Sequence, residues 1–135
     1  MLDYLPYIML GASGVVTSHP LFFAIFFVAN FVLNNFIKNK IKQPRPKGCD
    51  SFLKHSYGMP SQHSQTAGFV TAFVWPEIPQ NQQMLLLALT FIVMAQRVWT
   101  QCHTVAQVIA GSVLGFILGT TAYHSTLYLK RKLVT

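Results

Sequence analysis

The stretch VAQVIAGSVLGFILGTTAYHSTLYL, residues 105–129, runs for 25 positions without a charged side chain. That length and composition match the roughly 20 apolar residues an α-helix needs to cross a bilayer. Within it Gly111, Gly115 and Gly119 recur at four-residue spacing, which lets another helix approach the backbone closely. Lipid rather than water is therefore the expected solvent for much of this chain.

Four further apolar runs lie upstream: Tyr4–Thr17, Leu21–Ile37, Ser64–Trp75 and Met84–Ala95. Ser18, His19 and Pro20 separate the first two, and Pro76 and Pro79 end the third. The pattern predicts an all-α, polytopic membrane bundle of about five transmembrane helices, several of them shorter than a full crossing. It is read as one membrane-embedded domain, residues 1–135. Residues 1–17 lack the positive n-region of a signal peptide and are expected in the mature structure. Five spans put the polar loop 38–63 and the segment 96–104 on one face of the membrane. The 18–20 turn, the 76–81 turn and Lys130-Arg131-Lys132 fall on the other. Trp75 and Trp99 read as interfacial anchors.

Composition narrows the chemistry. Ten Lys and Arg stand against three Asp and Glu in 135 residues, and only 10 % of the chain is charged, against about 25 % in soluble domains. Asp3, Asp50 and Glu77 are too few and too scattered for a paired-carboxylate glycosidase or a carboxylate-built Mg2+ or Ca2+ site. Cys49 and Cys102 lack CxxC spacing and cannot make a four-thiolate zinc site. The net charge of +7 sits on lipid-like flanks rather than on a polar scaffold, which argues against nucleic acid.

Three groups on the basic face stand out. Lys38 precedes Arg45-Pro46 by seven residues, nearly two helical turns, so both can address one anion. Pro60-Ser61-Gln62-His63 opens a helix whose first N–H groups suit a phosphate. Arg97 interrupts apolar sequence, which is costly in lipid and marks a functional site. His103 follows six residues later, so a helix break between them is expected; His103 and Gln107, four apart, share a face. Taken singly, the basic run reads as a juxtamembrane stretch attracted to anionic lipid, and Ser61 and His63 as capping residues.

Together, Lys38-x6-Arg45-Pro46, Pro60-Ser61-Gln62-His63 and Arg97-x5-His103 resemble the three-part signature of the type 2 phosphatidic acid phosphatase superfamily. The wording FIKNKIKQPRP (36–46), YGMPSQHSQ (57–65) and QRVWTQCHTVAQV (96–108) is most similar to its dolichyl-diphosphatase branch. The resemblance covers roughly residues 31–119. Gln62, Gln96 and Gln107 stand where the wider superfamily has Gly, Ser and Asp; Gln107 is read as a mark of the branch.

The resemblance implies an integral-membrane lipid diphosphatase with no metal and no cofactor. His103 would be the nucleophile, forming a phosphohistidine, and His63 the general acid and base. Lys38, Arg45, Ser61, Gln62 through its backbone N–H, and Arg97 would hold phosphate oxygens, with Gln107 orienting His103. The implied partner is dolichyl diphosphate, a polyprenyl lipid whose tail stays in the bilayer. Undecaprenyl diphosphate, phosphatidic acid or a catalytically silent lipid-binding relative are the alternatives, and homo-oligomerisation is left open. Location in the endoplasmic reticulum with a lumenal active face follows from the branch, since basic residues are nearly balanced across the membrane. There Cys49 and Cys102 share the active face, but unpaired thiols are the expectation. His19, His55 and His124 are read as structural or solvated.

Overall fold

The computed structural model describes residues 2–49 and 56–134, so Asp50, Lys54 and His55 lie outside the described residues. A short 3₁₀ turn, Leu2–Tyr4, leads into α1 (Leu5–Val16), followed by α2 (Pro20–Ile41), α3 (Gln62–Val74), α4 (Gln80–Trp99) and α5 (Val105–Val134). Pro20 starts α2 at a first-turn position, where its missing N–H costs nothing. Lys42 ends it in the left-handed region at φ 53°, with its N–H on the Lys38 carbonyl at 2.9 Å. Ser61 caps α3 by accepting from the Ser64 N–H.

The bundle is apolar outside and partly polar inside. On α2, Leu21, Ile25, Val28, Val32 and Phe36 are exposed, whereas Asn30, Asn34 and Lys38 are buried. This inversion suits lipid, where the outward face needs no polar groups and the inward face can bond across helices. Gln65 of α3 donates to Asn30 Oδ1 at 2.8 Å and accepts from Asn34 Nδ2 at 2.5 Å. Thr71 and Thr90 join α3 to α4 at 2.9 Å. Phe23, Phe69 and Phe73 cluster in the apolar core, with Phe69 and Phe73 stacked at 6.0 Å between centroids and Phe23 edge-on to Phe73 at 5.1 Å.

Among the described residues five α-helices form, as expected, and three of them, α2, α4 and α5, are long and apolar enough to cross a membrane. Helix α3 is enclosed by the others. Every residue from His63 to Val74 is buried, so protein rather than lipid surrounds it. Its 13 residues cover only about 20 Å. Alpha-helix α5 lies against it through glycines: a Cβ at Gly111, Gly115 or Gly119 would meet the carbonyls of Ser61, Gln65 and Phe69 in turn.

The 18–20 turn, the 76–81 turn and the end of α5 meet at one end of the bundle. There Ser18 N–H donates to Glu77 at 2.9 Å, His19 Nε2 faces Glu77 at 3.5 Å, and Lys130 Nζ meets His19 Nδ1 at 3.2 Å. Those contacts tie both turns to the C-terminal part of α5. Trp99, 88 % exposed, stands at the other end of the bundle.

Candidate active site

At that other end the three motif groups converge. Helix α4 stops at Trp99, and Gln101 turns left-handed at φ 53°. The Arg97 carbonyl then accepts from the N–H groups of both Cys102 and His103, at 3.2 and 3.1 Å. This is the break that lets Arg97 and His103 face one site despite their six-residue spacing. Thr104 starts α5 through a reciprocal cap: its Oγ1 accepts from the Gln107 N–H, and Gln107 Oε1 accepts from the Thr104 N–H, both at 3.2 Å.

The partners of His103, which is 2 % exposed, fix its tautomer. Arg45 Nη1 lies 2.8 Å from Nε2, and a guanidinium can only donate, so Nε2 carries the lone pair. Nδ1 lies 2.9 Å from the Gly58 carbonyl and 3.2 Å from Gln107 Oε1. Both are acceptors, so Nδ1 carries the hydrogen. Burial, then the positive charges of Arg45, Lys38 and Arg97, push the ring down to a pKa of about 3, with the Gln107 bond opposing. It is therefore neutral near pH 7.

Arg45 uses its whole fork. Nε donates to the Ser56 carbonyl at 3.0 Å, Nη2 to Ser56 Oγ at 2.8 Å, and Nη1 to the Cys102 carbonyl at 3.1 Å as well as to His103. Burial and the nearby Arg97 lower its pKa from the usual arginine value. Lys38 Nζ, from the last turn of α2, donates to the Tyr57 carbonyl at 3.1 Å. Lys38, Arg45 and Arg97 all act electrostatically on His103. Beside them opens a cleft of about 390 Å³ lined by Pro44, Arg45, Lys47, Ser56 and Tyr57, among others.

The second motif enters along α3. Ser61 N–H bonds to the Gln107 carbonyl at 3.0 Å, and Ser61 Oγ accepts from Ser64 Oγ at 3.1 Å. The capping reading of Ser61 thus holds, and it also lies beside the site. His63 is 8 % exposed, with the Tyr7 ring edge-on at 5.7 Å between centroids. Gln62 Nε2 reaches Thr66 Oγ1 at 3.4 Å, while its backbone N–H belongs to the first turn, whose donors have no intrahelical partner.

Two site residues were not legible beforehand. Asp3 pairs with Arg97 Nη1 at 2.5 Å and accepts from Gln96 Nε2 at 3.0 Å. Tyr7 packs on His63 from the same N-terminal region. Neither belongs to a local motif; an unpaired acidic residue in an otherwise uncharged stretch was the one available signal. Arg97 is 3 % exposed, and among the described residues its Nε finds no hydrogen-bond partner.

The cysteines correct an expectation. Cys49 and Cys102 are joined in a disulfide, with Cα atoms 4.4 Å apart, rather than remaining thiols. The loop after α2 turns back through a bond from the Cys49 N–H to the Pro46 carbonyl, and Gly48 lies against Gln101. A separation of 53 residues hid this proximity in the sequence. Among the described residues, no group of three or more His, Cys, Asp or Glu is placed to hold a metal ion.

Comparison with known proteins shows which family the chain resembles. The chain is 35 % identical to lipid phosphate phosphatase gamma of Arabidopsis thaliana over 124 residues, 80 % of this chain and 55 % of that protein. It is 34 % identical to the dolichyldiphosphatase of Saccharomyces cerevisiae over 62 % of this chain and 41 % of that one. To human dolichyldiphosphatase 1 it is 31 % identical over 74 % and 50 %. The chain thus spans about half the length of the curated relatives it matches. Its fold is similar to the first transmembrane PAP2 type phosphatidylglycerolphosphate phosphatase from Bacillus subtilis, at a TM-score of 0.74 and 22 % identity, over 96 % of this chain and 71 % of that one. The pattern of the PAP2 superfamily itself matches residues 19–131, from the start of α2 into the last turn of α5, and the chain belongs to that superfamily.

Proposed function

We propose that this chain is a membrane lipid diphosphatase that hydrolyses dolichyl diphosphate to dolichyl phosphate and inorganic phosphate. The observation that carries the reading is His103, with its Nε2 lone pair facing Arg45 Nη1 at 2.8 Å, where Lys38 and Arg97 add positive charge that favours the neutral ring. An arginine capping a lone pair is a resting arrangement. When a phosphoryl group enters, its oxygens take over the Arg45 donors and the lone pair is released toward phosphorus.

Nε2 then attacks the terminal phosphorus, and the bond to the bridging oxygen breaks. Dolichyl phosphate leaves as that oxygen takes a proton, for which His63 is the proposed donor. Water, deprotonated by His63, attacks the phosphohistidine, returning the lone pair to Nε2 and releasing phosphate. Lys38, Arg45, Arg97, the Ser61 hydroxyl and the Gln62 N–H are the proposed holders of the three equatorial oxygens, where their charge acts without metal. Gln107 keeps the Nδ1 hydrogen in place throughout. No resident metal or cofactor is part of this mechanism.

The relatives named as dolichyldiphosphatases support a polyprenyl tail. The similarity to a lipid phosphate phosphatase supports a second reading, a broader lipid phosphate substrate. The Cys49–Cys102 disulfide lies on the active face. Such bonds persist in oxidising compartments, which supports an active face away from the cytosol; the resemblance to dolichyldiphosphatases supports the lumen of the endoplasmic reticulum and a role in recycling the lipid carrier of glycosylation.

Pure protein in lipid vesicles, given dolichyl diphosphate, should release phosphate equally with and without EDTA. His103→Ala should abolish release. Phosphatidic acid and undecaprenyl diphosphate, run in parallel, separate the two substrate readings. Absence of release from every lipid overturns the enzyme, and loss of activity in EDTA overturns its metal independence. A C-terminal tag protected from protease in sealed microsomes reverses the orientation.

A further inference from the structure

Gln107 is 1 % exposed and sits where the three motif segments meet. Its carbonyl takes the Ser61 N–H, and its Oε1 serves both Thr104 and His103. The other half of the amide points away from the nucleophile. Nε2 donates to Gln43 Oε1 at 3.0 Å and to the Pro44 carbonyl at 3.1 Å. Those acceptors lie two residues and one residue before Arg45. Gly58 completes the arrangement: its N–H bonds the Gln43 carbonyl at 2.8 Å, and its Cα side lies so near the Gln107 amide that a Cβ would overlap it.

A carboxylate cannot replace this amide. One oxygen would still accept from Thr104 and His103, but the second would face the Pro44 carbonyl, which has no hydrogen to give. Gln43, at the surface, can rotate its amide to offer N–H; Pro44 has no such freedom. A buried acceptor set against another acceptor is destabilising, and the relief available is movement of the 43–45 segment.

We propose that Gln107 is a positioning residue for both reacting partners: its acceptor half holds the His103 Nδ1 hydrogen, and its donor half holds Gln43 and Pro44 so that Arg45 stands over His103 Nε2. Gln43 is its partner in the second task. The amide at 107 is thereby matched to the loop that carries Arg45, and a carboxylate would hold the histidine but release the arginine.

This rests on the phosphatase reading for its purpose, while orthovanadate binding tests it apart from turnover. Gln107→Glu keeps length and the acceptor but loses the donor. It should weaken orthovanadate binding and lower kcat/KM by about tenfold, the scale of one buried hydrogen bond exchanged for an unpaired acceptor. The new charge beside His103 should also move the acid limb of the pH profile upward. Gln43→Met should weaken orthovanadate binding about threefold, whereas Gln43→Glu, which retains an acceptor, should restore it. Gln43 is exposed, so both variants fold even where Gln107→Glu does not. Orthovanadate affinity within twofold of wild type in Gln107→Glu, or equal behaviour of the two Gln43 variants, overturns the proposal. Orthovanadate binding by a wild type that hydrolyses no lipid overturns the function and leaves the variant series to decide the positioning role. Failure of the wild type to bind orthovanadate overturns both.

Discussion

Asp3 and Arg97, 94 positions apart, form an ion pair at 2.5 Å in which the arginine is 3 % exposed and the carboxylate 58 %. A surface anion thus reaches into the site and holds one donor of a buried guanidinium. At this exposure the pair contributes only about 0–1 kcal/mol to stability. Its larger effect is on binding, because a phosphate entering the site competes with Asp3 for Arg97. Asp3→Asn should leave the thermal unfolding temperature nearly unchanged and tighten orthovanadate binding by about fivefold, the equivalent of about 1 kcal/mol. Weaker binding, measured by titration in detergent, would show that Asp3 holds Arg97 in position instead.

Arg45 is irreplaceable by lysine on geometric grounds. Its three nitrogens serve Ser56, Cys102 and His103 from one rigid plane. An ammonium is a point charge that cannot address those directions together. Arg45→Lys keeps the charge and should still lower kcat/KM by about 100-fold, the usual scale for a lost transition-state donor. Phosphate release within tenfold of wild type would assign Arg45 to general electrostatics alone.

The depressed pKa of His103 predicts how stability varies with pH. Unfolded, the ring takes a proton near 6.5; folded, it does so only near 3. Between those values the unfolded state binds more protons, so stability falls as pH drops from 6.5 toward 3 and this contribution is level above 6.5. The slope from this group approaches about 1.4 kcal/mol per pH unit at most. His103→Gln should flatten unfolding temperature against pH across that window. A slope unchanged by the substitution would place the proton uptake elsewhere.

The Cys49–Cys102 bridge closes a separation of 53 residues and joins the Arg45 loop to the turn that carries His103. Loop-closure entropy for that length amounts to about 4 kcal/mol. Reduction should lower the unfolding temperature and, because Arg45 bonds the Cys102 carbonyl, reduce activity as well. The Cys49→Ser/Cys102→Ser double variant should reproduce both losses and no longer respond to reductant. Full activity in that variant would confine the bridge to stability.

Much of this was legible in the sequence, and the reason is local. Charge-free runs mark helices, Arg97 amid apolar sequence is costly in lipid, and the remaining site candidates stood out only as a group, by order and spacing. The break after Arg97 followed from helical geometry alone. What escaped depended on contacts between distant segments. Asp3 carries no motif, and the cysteines meet only because the loop after α2 turns back. The full burial of α3 was hidden because an apolar run reads alike whether lipid or protein surrounds it. The sequence places Gln107 as the residue that orients His103, but its donor half became visible only with Pro44 beside it.

Gly115 links packing to chemistry. A Cβ there would meet the Gln65 carbonyl and the Phe69 N–H of α3, and backbone atoms cannot rotate aside as a side chain does. Gly115→Ala should therefore part α3 from α5 and cost about 1–3 kcal/mol by overpacking. Since α3 carries Ser61 and His63 while α5 carries Gln107, the same shift should open the Ser61 to Gln107 bond and lower kcat. Gly11→Ala is the control, because nothing lies within 4 Å of a Cβ at that position. It should match wild type in phosphate release and unfold at the same or a slightly higher temperature, since alanine favours a helix interior by up to about 1 kcal/mol over glycine. Equal effects of the two substitutions would mean that glycine in these helices matters through local propensity, and that close approach of α3 and α5 does not govern the site.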